Sequence, residues 1–240
     1  MYKLLLLLLT TKINLTTAKS KYYYDRRIHN FGNIGLGGKF HSLLAPYATK
    51  LIDDKCYNSV NIRQAILSNY NQDFYNKYER VPKLIDLCCG TGSSTATNQL
   101  GIDTSLPMLS AAKAKAKAKL SNTQFIKGNA ENYGQPQEFD TATLMFAFHE
   151  MPNYAHHKII KNAKKITKHD ILIVDISPNY SPSKLMLSGE PYLLNYKATI
   201  HDLLQKHQFN YLEYIPNHVG LWVYSHKNNQ NHLIKHLSHK

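Results

Sequence analysis

The sequence predicts an α/β protein: a doubly wound, mostly parallel sheet with a C-terminal antiparallel hairpin and an N-terminal helical layer. Three observations predict it. From Lys83 onward, five short apolar runs alternate with helix-compatible stretches, the pattern of a parallel sheet covered on both faces. Near the carboxyl end, residues 209–215 and 219–224 alternate in polarity and are joined by Pro216-Asn217-His218. So short a link joins antiparallel strands. Between residues 22 and 80 there is no alternating strand, while Val60, Ile62, Ile66 and Leu67 keep helical spacing.

Composition bounds the classes that remain. With 240 residues, 43% of them hydrophobic and 19% charged, the chain is long and apolar enough for a folded core. Its 29 Lys and Arg against 16 Asp and Glu give a formal charge of +13. Such a surplus suits a nucleic acid, an anionic membrane or an acidic substrate, or a Lys-rich solvated surface. No compact Lys/Arg block appears, which favours the solvated surface. Cys56, Cys88 and Cys89 make no disulfide framework and fit a reducing compartment.

Residues 1–21 stand apart. The leucines from Leu4 to Leu9 are too few to span a bilayer, which takes about 20 apolar residues. No acid precedes Asp25, whereas Lys3, Lys12, Lys19 and Lys21 are basic. The segment reads as a cleaved organelle-targeting peptide or as a plain extension, so cytoplasmic and organellar locations are both open. No transmembrane span is expected.

The elements follow in order. In the helical layer, residues 22–80, the glycine-rich stretch from Phe31 to Gly38 reads as a flexible loop; no strand precedes it, so it is not a phosphate loop. Pro82 opens the main domain, residues 81–225. Strands are expected at 84–87, 100–103, 123–127, 142–148 and 170–175. A helix over 108–120 follows from its Ala and Lys content, with Ser105 as N-cap and Pro107 in the first turn. A second, over 153–166, buries Ala155, Ile159, Ala163 and Ile166 and leaves Lys158, Lys161, Lys164 and Lys165 solvated. Residues 177–196 form a long proline-punctuated connection, a common place for function. A helix over 198–207 leads to the hairpin. Residues 226–240 read as an exposed basic, His-rich tail; His232 and His236 have helical ligand spacing, but no metal is assigned.

Candidate site residues gather at the strand ends. Ile85-Asp86-Leu87-Cys88-Cys89-Gly90-Thr91-Gly92 runs from strand into a glycine turn, which lets backbone approach a ligand. Asp103 ends the second strand, where a carboxylate can accept from vicinal ribose hydroxyls. Gly128-Asn129-Ala130-Glu131 follows the third strand and His149-Glu150-Met151-Pro152 the fourth. A dinucleotide pattern wants a third glycine at position 95, which is Thr95.

With Gly101-Ile102-Asp103-Thr104-Ser105-Leu106-Pro107-Met108-Leu109, these blocks resemble a class I S-adenosylmethionine-dependent methyltransferase of the small-molecule methyltransferase-domain type, over roughly residues 83–176. The resemblance implies a seven-stranded sheet and S-adenosylmethionine as cofactor. It implies that Asp86 meets the cofactor's amino-acid end, directly or through water, and that Gly90 and Gly92 admit its methionine and ribose parts. Asp103 holds the ribose hydroxyls, Asn129 and Ala130 flank the adenine, and Phe146 and His149 line the sulfonium side. Cys88 stands where the family often has its first glycine, and Asn129 replaces a common Asp. Asp103 follows Gly92 by only 11 positions, so the first helix is expected to be short, about two turns against the longer dinucleotide pattern. Thr167-Lys168-His169 replaces a Pro-Gly-Gly style turn.

The implied reaction is methyl transfer to a small-molecule acceptor. His149 is the candidate base if the acceptor must lose a proton. Glu150, Glu190, Tyr192 and Tyr196 are candidates to face the acceptor, and the layer carrying Tyr24 and His29 is expected to help close the site. RNA methylation through the basic surface and a non-catalytic cofactor-binding module are the alternatives; nucleic acid is the less favoured partner.

Overall fold

The computed structural model describes residues 21–227 and 230–238, so the leucine run and the targeting expectation lie outside the described residues. Seven strands form one sheet: β1 (Leu84–Leu87), β2 (Leu100–Asp103), β3 (Gln124–Lys127), β4 (Phe139–Met145), β5 (Thr167–Ile176), β6 (Asn210–Ile215) and β7 (Val219–Ser225). Their order is β3-β2-β1-β4-β5-β7-β6. Strands β1 to β5 are parallel, and β7 is antiparallel to both β5 and β6. The strand order reverses between β1 and β4, and the crevice beyond their carboxyl ends is where such sheets take ligands.

Strand alternation divides the core. Ile85, Leu87, Leu144 and Ile173 point to one face, which α4 (Asn153–Ile166) and α6 (Leu193–Lys206) cover with Ile159, Ala163, Ile200 and Leu204. Leu84, Met145, Leu172 and Val174 point to the other, covered by α2 (Ile62–Tyr78) and α7 (Gln230–Ser238) through Ile66, Tyr70, Phe74, Leu233 and Leu237. Each such side chain contributes about 1.5–3 kcal/mol when fully buried. Asn61 starts α2, its side chain accepting from the Gln64 amide at 3.2 Å. Ser105 starts α3 (Leu106–Ala118) as expected, accepting from the Met108 amide at 3.3 Å.

The structure corrects several expectations. No helix joins β1 to β2: residues 91–99 form turns and bends. Asp86 pins this loop, accepting from Ser94 Oγ at 2.9 Å and Thr95 Oγ1 at 2.6 Å, while Ala96 packs toward the α2-side core. The glycine-rich stretch is not a loop throughout, because α1 (Gly35–Cys56) begins inside it. A Cβ on Gly38 would stand 2.6 Å from the Asn33 carbonyl carbon and 3.2 Å from Pro107 Cγ, so glycine lets α1 close on the 31–33 segment and on α3. The fourth apolar run ends as a strand at Met145, because Phe146 turns the chain with φ +56°. A short helix, α5 (Lys184–Gly189), interrupts the long connection, and α6 starts at Leu193, where Leu193 and Tyr196 are fully buried. The tail is not merely exposed: α7 buries Leu233 and Leu237, four apart on one helix face.

Candidate active site

The turn after β1 is built on left-handed backbone. Cys88, Gly90 and Gly92 have φ of +64°, +51° and +72°, a region that favours glycine. The two glycines serve different ends. A Cβ on Gly90 would meet nothing within 4 Å, and the residue floors a cavity. A Cβ on Gly92 would stand 2.6 Å from Phe125 Cζ, so Gly92 is a packing position behind the cavity. The Gly90 amide donates to Asp103 Oδ2 at 2.9 Å and the Ser105 amide to Oδ1 at 2.8 Å. Burial raises the Asp103 pKa to about 6 against the pull of those amides, and burial likewise raises that of Asp86 to about 6.

One cavity of about 850 Å³ opens over the ends of β1, β2 and β4, within the range of small-ligand sites. Cys88, Gly90, Asp103, Asn129, Ala130, Phe146, His149, Glu150 and Glu190 all line it. Helix α1 supplies another wall through His41, Ala45 and Ala48. Asn129 keeps Oδ1 engaged with the Glu131 amide at 2.9 Å, which fixes its side chain at the cavity edge. Asp86 sits behind the lining, reaching it through Ser94. Tyr192 and Tyr196 do not face the cavity. The Tyr192 hydroxyl donates to Asp25 at 3.1 Å, and Tyr196 is fully buried with its hydroxyl on the Ile176 carbonyl at 2.7 Å. The connection that was expected to present both instead turns helical, and helical spacing sends Tyr196 into the core.

Two charged groups stand in the cavity wall. His149 Nδ1 lies 2.6 Å from Asp175 Oδ1. Burial lowers the His149 pKa, but the Asp175 carboxylate more than offsets this and holds it at about 9. Beside it, His29 joins two carboxylates: Nε2 lies 2.8 Å from Glu150 and Nδ1 2.7 Å from Glu190. Burial works against the His29 charge, yet the two glutamates raise its pKa to about 11. Glu150 is held below the ordinary carboxylate range, burial being outweighed by the His29 charge. His29 itself has φ +51°, and Gly189 fits against it, a Cβ there falling 3.3 Å from the His29 Cα. The N-terminal layer is thereby latched to the sheet ends.

Arg63 is a lining residue that the sequence did not single out. Its guanidinium lies 4.1 Å from the Phe146 ring centre and 3.6 Å from Asp53. No local pattern marks it, since α2 and the end of β4 meet only in the fold.

Residues 84–170 match the model of a methyltransferase-domain family. No curated protein matches the sequence. Among solved structures, the magnesium protoporphyrin IX methyltransferase ChlM of Synechocystis PCC 6803, with bound SAH, is similar at 16% identity and a TM-score of 0.50. That match covers 70% of this chain and 84% of that one. The plantazolicin methyltransferase BpumL, in complex with SAH, is similar at 14% identity and a TM-score of 0.50, covering 77% of this chain and 92% of that one. At these identities the likeness is one of fold.

Proposed function

We propose that the chain is a class I, Rossmann-like S-adenosylmethionine-dependent methyltransferase that passes the methyl group to a small molecule held in the cavity between α1 and the ends of β1 and β4. The residues fit the cofactor. Asp103 offers a desolvated carboxylate at the β2 end, suited to a ribose diol, and Gly90 leaves open space above the turn. Asn129 and Ala130 line the same cavity past β3 and would flank the adenine, and Phe146 and His149 line it past β4 and would border the sulfonium. Bound there, S-adenosylmethionine supplies an electrophilic methyl group on a sulfonium.

The protein's own part is orientation, worth up to about 7–11 kcal/mol in well-aligned reactions. The Gly90–Asp103 pair fixes one reactant, and the wall formed by α1, Glu150 and Glu190 confines the other. His149 holds its proton up to about pH 9. If it serves as base, kcat/KM rises with pH toward 9, and His149→Gln abolishes that limb; a profile that survives the substitution removes the role.

The observation that carries the small-molecule reading is the α1 wall. With Glu150 and Glu190 it bounds a cavity of about 850 Å³, the size of a small-ligand site, whereas an RNA track calls for an open cationic groove. Isothermal titration with S-adenosylmethionine tests the cofactor, and absence of binding to the folded chain refutes it. A mobility assay with RNA at two ionic strengths tests the acceptor class; tight, salt-steep binding favours RNA instead.

A further inference from the structure

The outer face of α1 is unexplained by methyl transfer. Leu36, Phe40, Leu43, Tyr47 and Leu51 fall within an arc of roughly 80° on the helix. They are 84%, 49%, 67%, 77% and 58% exposed. The inner side carries Gly38, Ser42 and Asp53, all buried, with Ala45 and Ala48 at the cavity. Helix α1 thus turns its largest apolar side chains outward and its small ones inward, the reverse of an ordinary surface helix. A single exposed leucine is unremarkable, but five large apolar residues in one stripe mark an interaction surface. Leu44 borders the stripe and Leu185 belongs to α5; both are exposed, and both also line the cavity, as Ile52 does from the inner side.

Charge selects the occupant. Lys39, Lys50 and Lys55 are exposed along α1 and Arg26 is exposed just before it, while Arg27 is paired with Asp25 at 2.6 Å. Asp54 is the helix's exposed acid, and Lys50 lies 2.9 Å from it. A second copy of the chain would bring two bodies of formal charge +13 together, which like-charge repulsion opposes. An anionic lipid surface attracts the same cations and accepts the same apolar stripe. No helix among the described residues is long and apolar enough to cross a membrane. We propose that α1 docks on an anionic membrane surface, its leucine, phenylalanine and tyrosine side chains entering the interface, with the cavity mouth toward the lipid.

Vesicle co-sedimentation of the full chain tests this, using phosphatidylcholine vesicles with and without phosphatidylglycerol. The wild type is expected to sediment with the anionic vesicles and to release as salt rises. Leu43→Glu combined with Leu51→Glu is expected to weaken partition by about tenfold or more while leaving S-adenosylhomocysteine binding and the melting temperature in place. Should that pair of changes prevent folding, Tyr47→Glu alone carries the test. Failure of the wild type to bind, equal binding to phosphatidylcholine alone, or unchanged binding by the variants overturns the proposal. So does a dimer in sedimentation velocity that the variants dissolve in the absence of lipid, since the occupant is then a second copy.

Discussion

At the scale of single residues, Asp103 and His29 make opposite demands on charge. Asp103 is a carboxylate held near its titration point by burial, and ribose hydroxyls favour its ionised form. S-adenosylhomocysteine affinity is therefore expected to fall as pH drops through about 6. Asp103→Asn should lose about 2 kcal/mol, roughly thirtyfold, and flatten that dependence; calorimetry at two pH values reads both. His29 bridges Glu150 and Glu190 and offsets one of their two charges. His29→Ala leaves two carboxylates facing each other and is expected to cost about 1–3 kcal/mol at neutral pH. Lowering the pH protonates the glutamates, so the deficit in melting temperature should shrink; a deficit that is constant with pH assigns it to packing alone. The placement of Asp103, Gly90 and Asn129 at the cavity was legible in sequence because each stands at or just past the carboxyl end of its strand. The role of His29 was only half legible: its partner Glu150 lies 121 positions away, a pairing no local pattern encodes.

Among elements, the β1 turn and the α1 helix show how one residue type serves different ends. Gly90→Ala adds a methyl in open cavity space, so it should weaken S-adenosylhomocysteine binding more than it lowers stability, the backbone cost at φ +51° being about 1 kcal/mol. Gly92→Ala drives a Cβ to 2.6 Å from the Phe125 ring and should cost about 2–3 kcal/mol of stability. Denaturant titration and calorimetry on both variants separate the two roles; equal losses in either assay would contradict the division. The parallel strands were legible because short apolar runs alternating with helix-compatible stretches fit a sheet covered on both faces. Gly37 and Gly38 were misread because glycine marks loops by its freedom, and here it serves close approach. The helix expected after Gly92 failed for lack of chain: 11 positions must carry the turn, the Asp86 tether and the return to β2.

For the whole molecule, histidines set the pH limits of stability. Burial lowers the pKa of His41 and His156 to about 4, so their share of stability is lost as pH falls from 6.5 toward 4. The pKa values of His149 and His29 are raised, so their share is complete below 6.5 and is lost as pH rises through about 9 and about 11. Asp86 and Asp103, raised to about 6, bind protons more readily when folded and so blunt the loss on the acid side. Thermal melts should be nearly flat up to about pH 6.5, where the lowered histidines and raised aspartates offset, and fall above it; a melting temperature still climbing at pH 9 contradicts the assignment. The sheet was legible as a whole because its strands recur in order, whereas the burial of α7 was hidden in a polar tail with two well-placed leucines. The cysteines turn this architecture into a clock. Cys56 is exposed, while Cys88 lies in the cavity wall with its thiol pKa pushed up by burial and by the Asp103 and Asp86 charges. A maleimide should label Cys56 first and Cys88 more slowly, the Cys88 thiol being half-buried in the cavity wall. The slow phase then times access to the cavity, and S-adenosylhomocysteine should stretch it.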